Sequence, residues 1–356
     1  MMERTIFLSA LEMEDADARS AYLDAACAGD EKLRADVEAL LRAHESAGSF
    51  LDATTIDQVT AADQSLAFLA PPQEPGALGR LDHFEVLEVV GRGGMGVVLK
   101  TWDTKLRRVV ALKVLAPHLA ASAAARGQFV REAQAAAAIR DDHVVVVHAV
   151  EGDRPVPYLV MDYIAGTTLE QRLQRGGPPP LAQIVRIGYE IACGLAAAHQ
   201  AGLVHRDAKP ANILLEDPDN RVKLTDFGLA GLAEDFAVSG GGVTGTPMYM
   251  SPEQARGDPL DARSDLFSLG SVLYTLCTAR APFESGPTEA VLREVQGATP
   301  TPICALNPEI PPWLEALIGK LHAKDPRDRC ASAREIADFL GRHLVLYGAF
   351  TPITPR

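Results

Sequence analysis

The chain has 356 residues, of which 47% are apolar and 23% are charged, and this is the composition of a soluble globular protein with room for more than one domain. Its net charge of −13 argues against nucleic acid as the main partner. Residues 1–80 carry 15 acidic and 6 basic side chains, so most of the excess negative charge lies in this part of the chain. The charge distribution therefore predicts an acidic appendage on a nearly neutral body.

The cysteines and the hydrophobic runs indicate the cellular compartment in which the protein is expected. The five cysteines are scattered without a CxxC pair, which favours reduced thiols in a cytoplasmic protein over a disulfide framework or a zinc site. The first ten residues carry charge without an apolar core after them, so no signal peptide is expected. The longest uncharged and mostly apolar run, Leu266 to Ala279, is too short to cross a bilayer. We therefore expect no membrane span.

The first 80 residues divide into two parts. Residues 1–48 form a predicted acidic helical module, because apolar residues from Leu33 to Leu41 recur at the spacing of one helix face. The segment before Asp30 would supply a second helix, and two helices of this length bury little hydrophobic core by themselves. The sequence leaves open whether residues 1–48 are an interaction module or a poorly ordered leader. Residues 49–80, rich in Ala, Pro and Gly, are predicted to be a linker.

A glycine-rich loop follows the first predicted strand, which begins at Phe84. Gly91 to Gly96 reads GRGGMG, and a β-branched run, Val97-Val98-Leu99, comes directly after it. In a dinucleotide-binding fold this loop would open a helix, so the flanks favour a loop that joins two strands. Glycines there would let the backbone close over phosphates, although an ordinary hairpin turn would have a similar pattern.

The next strand, Val110 to Lys113, ends in a lysine among apolar residues. Burying that ammonium is costly without a partner, so a nearby carboxylate is expected. The following Ala-rich segment, Gln128 to Arg140, is helix-like and contains Glu132, which could instead be a solvated surface residue.

The most informative stretch is Val204 to Gly228. It contains His205-Arg206-Asp207, then Lys209 and Asn212, and it ends in Asp226-Phe227-Gly228. Two strand-like runs separated by the turn sequence DPDN predict a hairpin between them. This hairpin would bring Asn212 beside Asp226, and an amide and a carboxylate are oxygen ligands suited to Mg²⁺.

This stretch resembles the catalytic and metal-binding loops of the protein kinases, in the order HRDxKPxN and then DFG. The later segment GTPMYMSPEQ, residues 245–254, resembles that of the bacterial eukaryotic-like (Hanks-type) serine/threonine kinases, with SPE where the family usually has APE. Lys209 and Thr246 in these two motifs point to Ser/Thr rather than Tyr specificity.

The resemblance covers residues 84–343 and implies a bilobal α+β fold. The N-lobe, residues 84–161, would be an antiparallel sheet with one helix. The C-lobe, residues 166–343, would be mainly helical, and residues 344–356 would be a tail. ATP would lie in the cleft between the lobes.

The resemblance also implies a role for each motif residue. Asp207 would orient the acceptor hydroxyl and take its proton, and Lys209 would neutralise the γ-phosphate. Asn212 and Asp226 would hold Mg²⁺. Lys113, held by Glu132, would fix the α- and β-phosphates.

The implied ATP-binding set includes the glycine loop, a gatekeeper methionine and the hinge after it. Its members are Gly91, Arg92, Gly93, Gly94, Met95, Gly96, Val98, Ala111, Lys113, Glu132, Met161, Asp162, Ile164, Asn212, Leu214 and Asp226.

Two other functional classes share parts of this pattern. A pseudokinase scaffold would lack Lys113, Asp207 or Asp226, and all three are present. A small-molecule phosphotransferase of related fold would lack the GTPMYMSPEQ segment. The sequence therefore favours an enzyme that acts on protein substrates with Ser or Thr acceptors.

A final expectation concerns activation. Arg206 beside Asp207 needs an anionic partner, and phosphorylation of a nearby hydroxyl would supply one. Thr244 is the predicted autophosphorylation site, with Ser239 the alternative. Modification of one copy by another would require a transient homodimer.

Overall fold

The computed structural model describes residues 66–227, 247–284 and 286–346, together with residues 22–23, 26–27 and 34. Tyr22, Leu23, Ala26 and Arg34 are helical. The rest of the predicted module, most of the linker and all of the tail after Leu346 lie outside the described residues. The chain divides into two compact units, residues 1–67 and 68–356, and the second is described below.

The second unit begins with a six-stranded antiparallel sheet whose strand order is β1-β2-β3-β4-β6-β5. Two helices, α1 (Pro117–Ala120) and α2 (Ala123–Ala137), lie between its fourth and fifth strands. The strands are β1 (Gly79–Leu81), β2 (Phe84–Gly93), β3 (Gly96–Asp103), β4 (Arg108–Leu115), β5 (Val147–Glu151) and β6 (Tyr158–Asp162).

The remainder is mainly helical. A small antiparallel sheet stands at its start, formed by β7 (Gly166–Thr168), β8 (Ile213–Glu216) and β9 (Arg221–Leu224). The helices are α3 (Leu169–Gly176), α4 (Leu181–Gln200), α5 (Pro252–Arg256), α6 (Ala262–Thr278), α7 (Thr288–Gly297), α8 (Ile303–Leu306), α9 (Pro312–Leu321) and α10 (Ala333–Leu346). The predicted bilobal α+β fold is confirmed.

Each lobe has its own hydrophobic core. In the N-lobe, Phe129 of α2 and Met161 of β6 belong to one cluster of buried side chains. In the C-lobe, α4 and α6 lie at the centre of a larger cluster. Helix α2 begins at Ala123, five residues before the prediction, because Ser122 accepts a hydrogen bond from the Ala125 N–H and caps it.

The predicted linker differs from the structure at its carboxyl end. Residues from Phe68 onward belong to the compact second unit. Ala70 and Arg80 exchange two backbone hydrogen bonds of 2.8 Å, and β1 pairs with β2. The buried Glu85 carboxylate accepts from the Gln73 N–H at 3.3 Å. Pro and Gly residues here form a turn rather than a spacer, which composition alone does not distinguish.

One helix among the described residues is long and apolar enough to cross a membrane by length and composition. This is α4, and 61% of its most apolar window is buried inside the protein. Its apolar side chains pack in the C-lobe core, as expected for the central helix of a folded domain.

Candidate active site between the lobes

A cleft of ≈ 680 Å³ lies between the two lobes. This volume is within the range of small-molecule and cofactor sites. It is lined by every residue of the predicted ATP-binding set except Glu132, and by Asp207 and Lys209. Glu132 lines a smaller cavity behind Met161 instead. The structure therefore brings the predicted nucleotide-binding and catalytic residues together in one place.

The glycine loop is the tip of the β2–β3 hairpin, with Gly93 paired to Gly96. The strand-to-strand connection agrees with the prediction and excludes a dinucleotide-binding turn. Gly96 has φ +140°, and a Cβ there would lie 1.9 Å from the Val114 carbonyl oxygen, so the close approach of β4 requires glycine. Gly91 and Gly93 instead face open space, where a Cβ would meet nothing within 4 Å.

The catalytic loop follows α4 and is held by a buried aspartate of α6. Asp265 is fully buried, and its two carboxylate oxygens accept from the N–H groups of His205 and Arg206, each at 2.8 Å. His199, in the last turn of α4, contacts the same carboxylate at 2.7 Å. Asp265 therefore caps the backbone of the catalytic loop.

The Asp207 carboxylate lies between two donors. The Lys209 ammonium is 2.9 Å from Oδ2, and Asn212 Nδ2 donates to the same oxygen at 2.8 Å. Asn212 Nδ2 also donates to the Asp207 carbonyl oxygen at 2.9 Å. These contacts fix the carboxylate at the base of the cleft.

The ion pair of Lys113 differs from the predicted one. Its ammonium lies 2.8 Å from Oδ1 of Asp226, and Glu132 accepts a hydrogen bond from Gln128 Nε2 at 3.1 Å. Burial by itself would raise the pKa of the Asp226 carboxyl, but the Lys113 ammonium holds that pKa below its ordinary value. Asp226 is therefore ionised at neutral pH.

Asn212 and Asp226 have the donor atoms that Mg²⁺ prefers. Both hydrogen bonds of the Asn212 amide use Nδ2, so its oxygen Oδ1 is the atom able to ligate a cation. Asp226 contributes an ionised carboxylate. Hard oxygen donors of this kind, few in number, are typical of Mg²⁺ sites completed by phosphates. The residues present fit the predicted ion.

Sequence reasoning missed Gln254. This residue directly follows the activation segment, residues 226–253, and links it to the catalytic loop. Its Nε2 donates to the Arg206 carbonyl oxygen at 2.7 Å. The same side chain completes a capping box with Ser251 at the start of α5. The pattern Ser-x-x-Gln signals such a box in sequence, but not the contact with Arg206.

Glu253 forms a buried ion pair with Arg329. Two guanidinium nitrogens of Arg329 lie 2.7 and 2.8 Å from the two oxygens of Glu253, and both residues are buried. Burial opposes ionisation of Glu253, but the hydrogen bonds from Arg329 lower the pKa of its carboxyl. The end of the activation segment is thereby anchored to the C-lobe core.

Thr244 and Ser239, the two candidate phosphorylation sites, lie outside the described residues, and so does Thr246. Arg206, the predicted partner of a phosphate, is described and has φ +67°. Its Nε is buried and has no hydrogen-bond partner in the described part of the chain.

Comparison with known proteins agrees with this geometry. A family model for the protein kinase domain matches residues 84–339. The chain is 39% identical over 269 residues to the serine/threonine-protein kinase PknB of Mycobacterium leprae, covering 74% of this chain and 43% of that one. It is 38% identical over 261 residues to a probable serine/threonine-protein kinase of Clostridium acetobutylicum, covering 73% and 39%. The chain thus spans about two fifths of the length of these relatives.

A solved structure is also similar. The kinase domain of Mycobacterium tuberculosis PknI has a TM-score of 0.60 and 28% sequence identity, with 74% of this chain and 97% of that one covered.

Proposed function

This chain belongs to the protein kinase family, and from that premise we propose that it transfers the γ-phosphoryl group of ATP to serine and threonine hydroxyls of proteins. The observation that carries the proposal is the convergence of Lys113, Asp207, Lys209, Asn212 and Asp226 on one cleft. Phosphoryl transfer depends mainly on positioning and on charge neutralisation, and these residues supply both.

The acceptor hydroxyl is oriented by Asp207, which also takes its proton as the new bond to phosphorus forms. Asn212 and Lys209 hold that carboxylate in place. Lys209 also lines the cleft and would neutralise the charge of the transferring phosphoryl group. The leaving oxygen stays with ADP, so no covalent intermediate on the protein is needed.

The other end of the cleft holds the nucleotide. Lys113 would bind the α- and β-phosphates, and the loop from Gly91 to Gly96 would cover them with backbone N–H groups. Asn212 and Asp226 would hold Mg²⁺, which when bound neutralises phosphate charge. The apolar side chains available to the adenine come from both lobes, among them Val98, Ala111, Met161 and Leu214, and the hinge residues Asp162 and Ile164 lie beside them.

Lys113 pairs with Asp226 in this structure, so binding of Mg-ATP would require both residues to change partners, Lys113 to phosphate oxygens and Asp226 to the metal. Glu132 of α2 is the carboxylate proposed to hold Lys113 in that state.

Activation by phosphorylation of Thr244 is part of the same proposal. The supporting observation is the buried Nε of Arg206, because a guanidinium that keeps its charge beside Asp207 favours an anionic neighbour. A phosphate would add about −1.5 to −2 charge and three acceptor oxygens. Ser239 is the alternative site. One copy would phosphorylate another in a transient homodimer.

We also propose a cytoplasmic location, with protein substrates and without nucleic acid as a partner. The cysteines support it, since all five are free thiols and disulfides are typical of oxidising compartments.

The test is phosphoryl transfer from ATP labelled at the γ-phosphate to a generic protein substrate such as casein. The wild-type chain should label serine and threonine, and Asp207→Asn should lose about 10²-fold or more in rate while still binding ATP. Mass spectrometry of both proteins should find phosphate on Thr244 only in the wild type. A wild type that binds ATP without transferring phosphate would be a pseudokinase, and labelling of small molecules but no protein would indicate the phosphotransferase class.

A further inference from the structure

One face of α4 follows the β8–β9 hairpin along its length. Arg186, Glu190 and Gly194 are spaced by four residues, so they lie on the same side of the helix. Arg186 contacts the hairpin turn, where its guanidinium donates to the carbonyl oxygens of Asp219 at 3.0 Å and Asn220 at 3.3 Å. We name these three residues of α4 the hairpin stripe.

Glu190 contacts the next part of the hairpin. It is buried, and its Oε2 accepts from the Val222 N–H at 2.8 Å. Because β9 is an edge strand of the β7-β8-β9 sheet, this N–H faces away from β8 and needs a partner from elsewhere. Arg186 lies 3.6 Å from Oε1 of the same carboxylate, and His143 Nδ1 lies 3.9 Å from Oε2.

The rest of the outer edge of β9 is paired with the segment before β5. The Leu224 N–H donates to the His143 carbonyl oxygen at 2.8 Å, and the Val145 N–H donates to the Leu224 carbonyl oxygen at 2.9 Å. His143 Nδ1 also lies 3.3 Å from the Val222 carbonyl oxygen, and a carbonyl only accepts, so the ring donates from Nδ1. Every outward polar group of this strand end therefore has a fixed partner.

Gly194 allows this arrangement to sit close to α4. A Cβ at this position would lie 2.8 Å from Leu224 Cδ1 and 3.0 Å from the His143 carbonyl oxygen. Real Cβ atoms rarely approach this closely, so any larger side chain would push β9 or the His143 segment away from the helix.

We infer that the hairpin stripe is a set of positioning residues for Asp226. Strand β9 ends at Leu224, two residues before Asp226, and the same helix leads at its carboxyl end into the loop that carries Asp207. Helix α4 thus positions both the loop that carries Asp207 and the hairpin that precedes Asp226. The hairpin stripe fixes the second of these, the part of the site that would hold the metal. The inference rests on the proposed function only in taking Asp226 as an Mg²⁺ ligand.

Substitutions in the stripe should weaken Mg²⁺ binding rather than remove a reacting group. Loss of a group that orients a metal ligand typically lowers metal affinity by about 10–100-fold. Glu190→Leu removes the acceptor of the Val222 N–H, and we expect its loss of Mg²⁺ affinity to lie in this range. Glu190→Gln keeps an acceptor oxygen and should recover most of the loss. Arg186→Met, at a half-buried position, should give a smaller loss in the same direction.

Gly194→Ala and Gly188→Ala form a matched pair on the same helix. A Cβ at Gly188 would lie 2.6 Å from Leu273 Cδ2, so this site is also crowded, but by side chains of the C-lobe core rather than by the hairpin. Both variants should lower the melting temperature. Only Gly194→Ala should raise the Mg²⁺ concentration needed for half-maximal binding of a fluorescent ATP analogue.

Hydrogen exchange of the full-length chain gives a readout independent of catalysis. Peptides covering residues 213–226 should exchange faster in Glu190→Leu and Gly194→Ala than in Gly188→Ala. If one of these buried variants does not fold, Arg186→Met, at a half-buried position, supplies the same comparison. The inference is overturned if these peptides and the Mg²⁺ half-saturation are the same in stripe variants and control. Failure of the proposed function would look different, because the wild type itself would bind Mg-ATP without transferring phosphate.

Discussion

The Lys113 ammonium lies 2.8 Å from the Asp226 carboxylate, so two groups expected to bind different parts of Mg-ATP contact each other directly. Lys113 is on β4 of the N-lobe and Asp226 follows β9 of the C-lobe, so this ion pair joins the lobes across the cleft. It also accounts for the ionised state of Asp226, since burial alone would favour the protonated acid.

Lys113→Met should lower the rate of phosphoryl transfer by about 10²-fold or more, the usual scale for one positioned charge in such a site. The substitution removes the phosphate contact and leaves Asp226 without the charge that keeps it ionised. Initial rates with γ-labelled ATP measure the effect. Lys105→Met, in the exposed turn between β3 and β4, is the matched control and should leave the rate unchanged. A Lys113→Met rate within a few-fold of wild type would exclude the assigned role.

Gln254→Glu should lower the rate without unfolding α5. A glutamate can still accept from the Ser251 N–H and complete the capping box, but it cannot donate to the Arg206 carbonyl oxygen. The substitution also places a carboxylate against that carbonyl, so the catalytic loop should shift.

The measurement for this variant pairs kcat with the melting temperature. We expect about a 10-fold fall in kcat, comparable with the loss of one hydrogen bond to a charged or buried partner, and a small change in melting temperature. Gln254→Ala loses both the cap and the donor and should lower both quantities. If Gln254→Glu and wild type have equal kcat, the contact with Arg206 is structural only.

The site motifs could be predicted from the sequence because each carries a local signal. The hairpin between Asn212 and Asp226 follows from its turn residues, and the glycine loop follows from the strands on either side of it. Which carboxylate pairs with Lys113 depends on how α2 sits against β4, and that is a tertiary relation without a local signal. The position of Gln254 against Arg206 depends likewise on the path of a segment 48 residues away along the chain.

The pH dependence of stability should contain a contribution from His322. This side chain is buried between Phe267 and Phe283, and burial, with nearby Lys324 and Arg329, lowers its pKa to about 3. The unfolded chain binds a proton at His322 below about pH 6.5 and the folded chain does not, so stability falls as the pH drops below that value. At pH 5 the loss from this group is about 2 kcal/mol.

Unfolding free energies of wild type and His322→Gln between pH 7.5 and 5 test this prediction. The variant should be less stable at pH 7.5, because it disturbs a packed core, but its stability should decrease less toward pH 5. His118→Gln, at an exposed position in α1, should keep the wild-type pH dependence. Parallel curves for wild type and His322→Gln would show that His322 does not titrate as its surroundings indicate.

The last prediction concerns where the folded kinase domain begins. The sequence predicts a linker up to residue 80, but the structure packs residues 68–81 on the N-lobe sheet. A fragment of residues 84–356 would lose the β1–β2 pairing, the two hydrogen bonds between Ala70 and Arg80, and the Gln73 donor to the buried Glu85. Each hydrogen bond contributes about 1 kcal/mol, and an unsatisfied buried carboxylate costs more.

Fragments 68–356 and 84–356 should therefore differ in melting temperature by about 5 °C or more, since 1 kcal/mol corresponds to about 2–4 °C in a domain of this size. Both should be compared with the full chain by calorimetry and by binding of an ATP analogue. Glu85→Gln within fragment 68–356 separates the effect of the buried carboxylate from that of the β1–β2 pairing, because it removes the charge and keeps the strand pairing. If the two fragments melt at the same temperature, residues 68–83 contribute nothing to the domain and the boundary lies near residue 84, as the linker prediction implies.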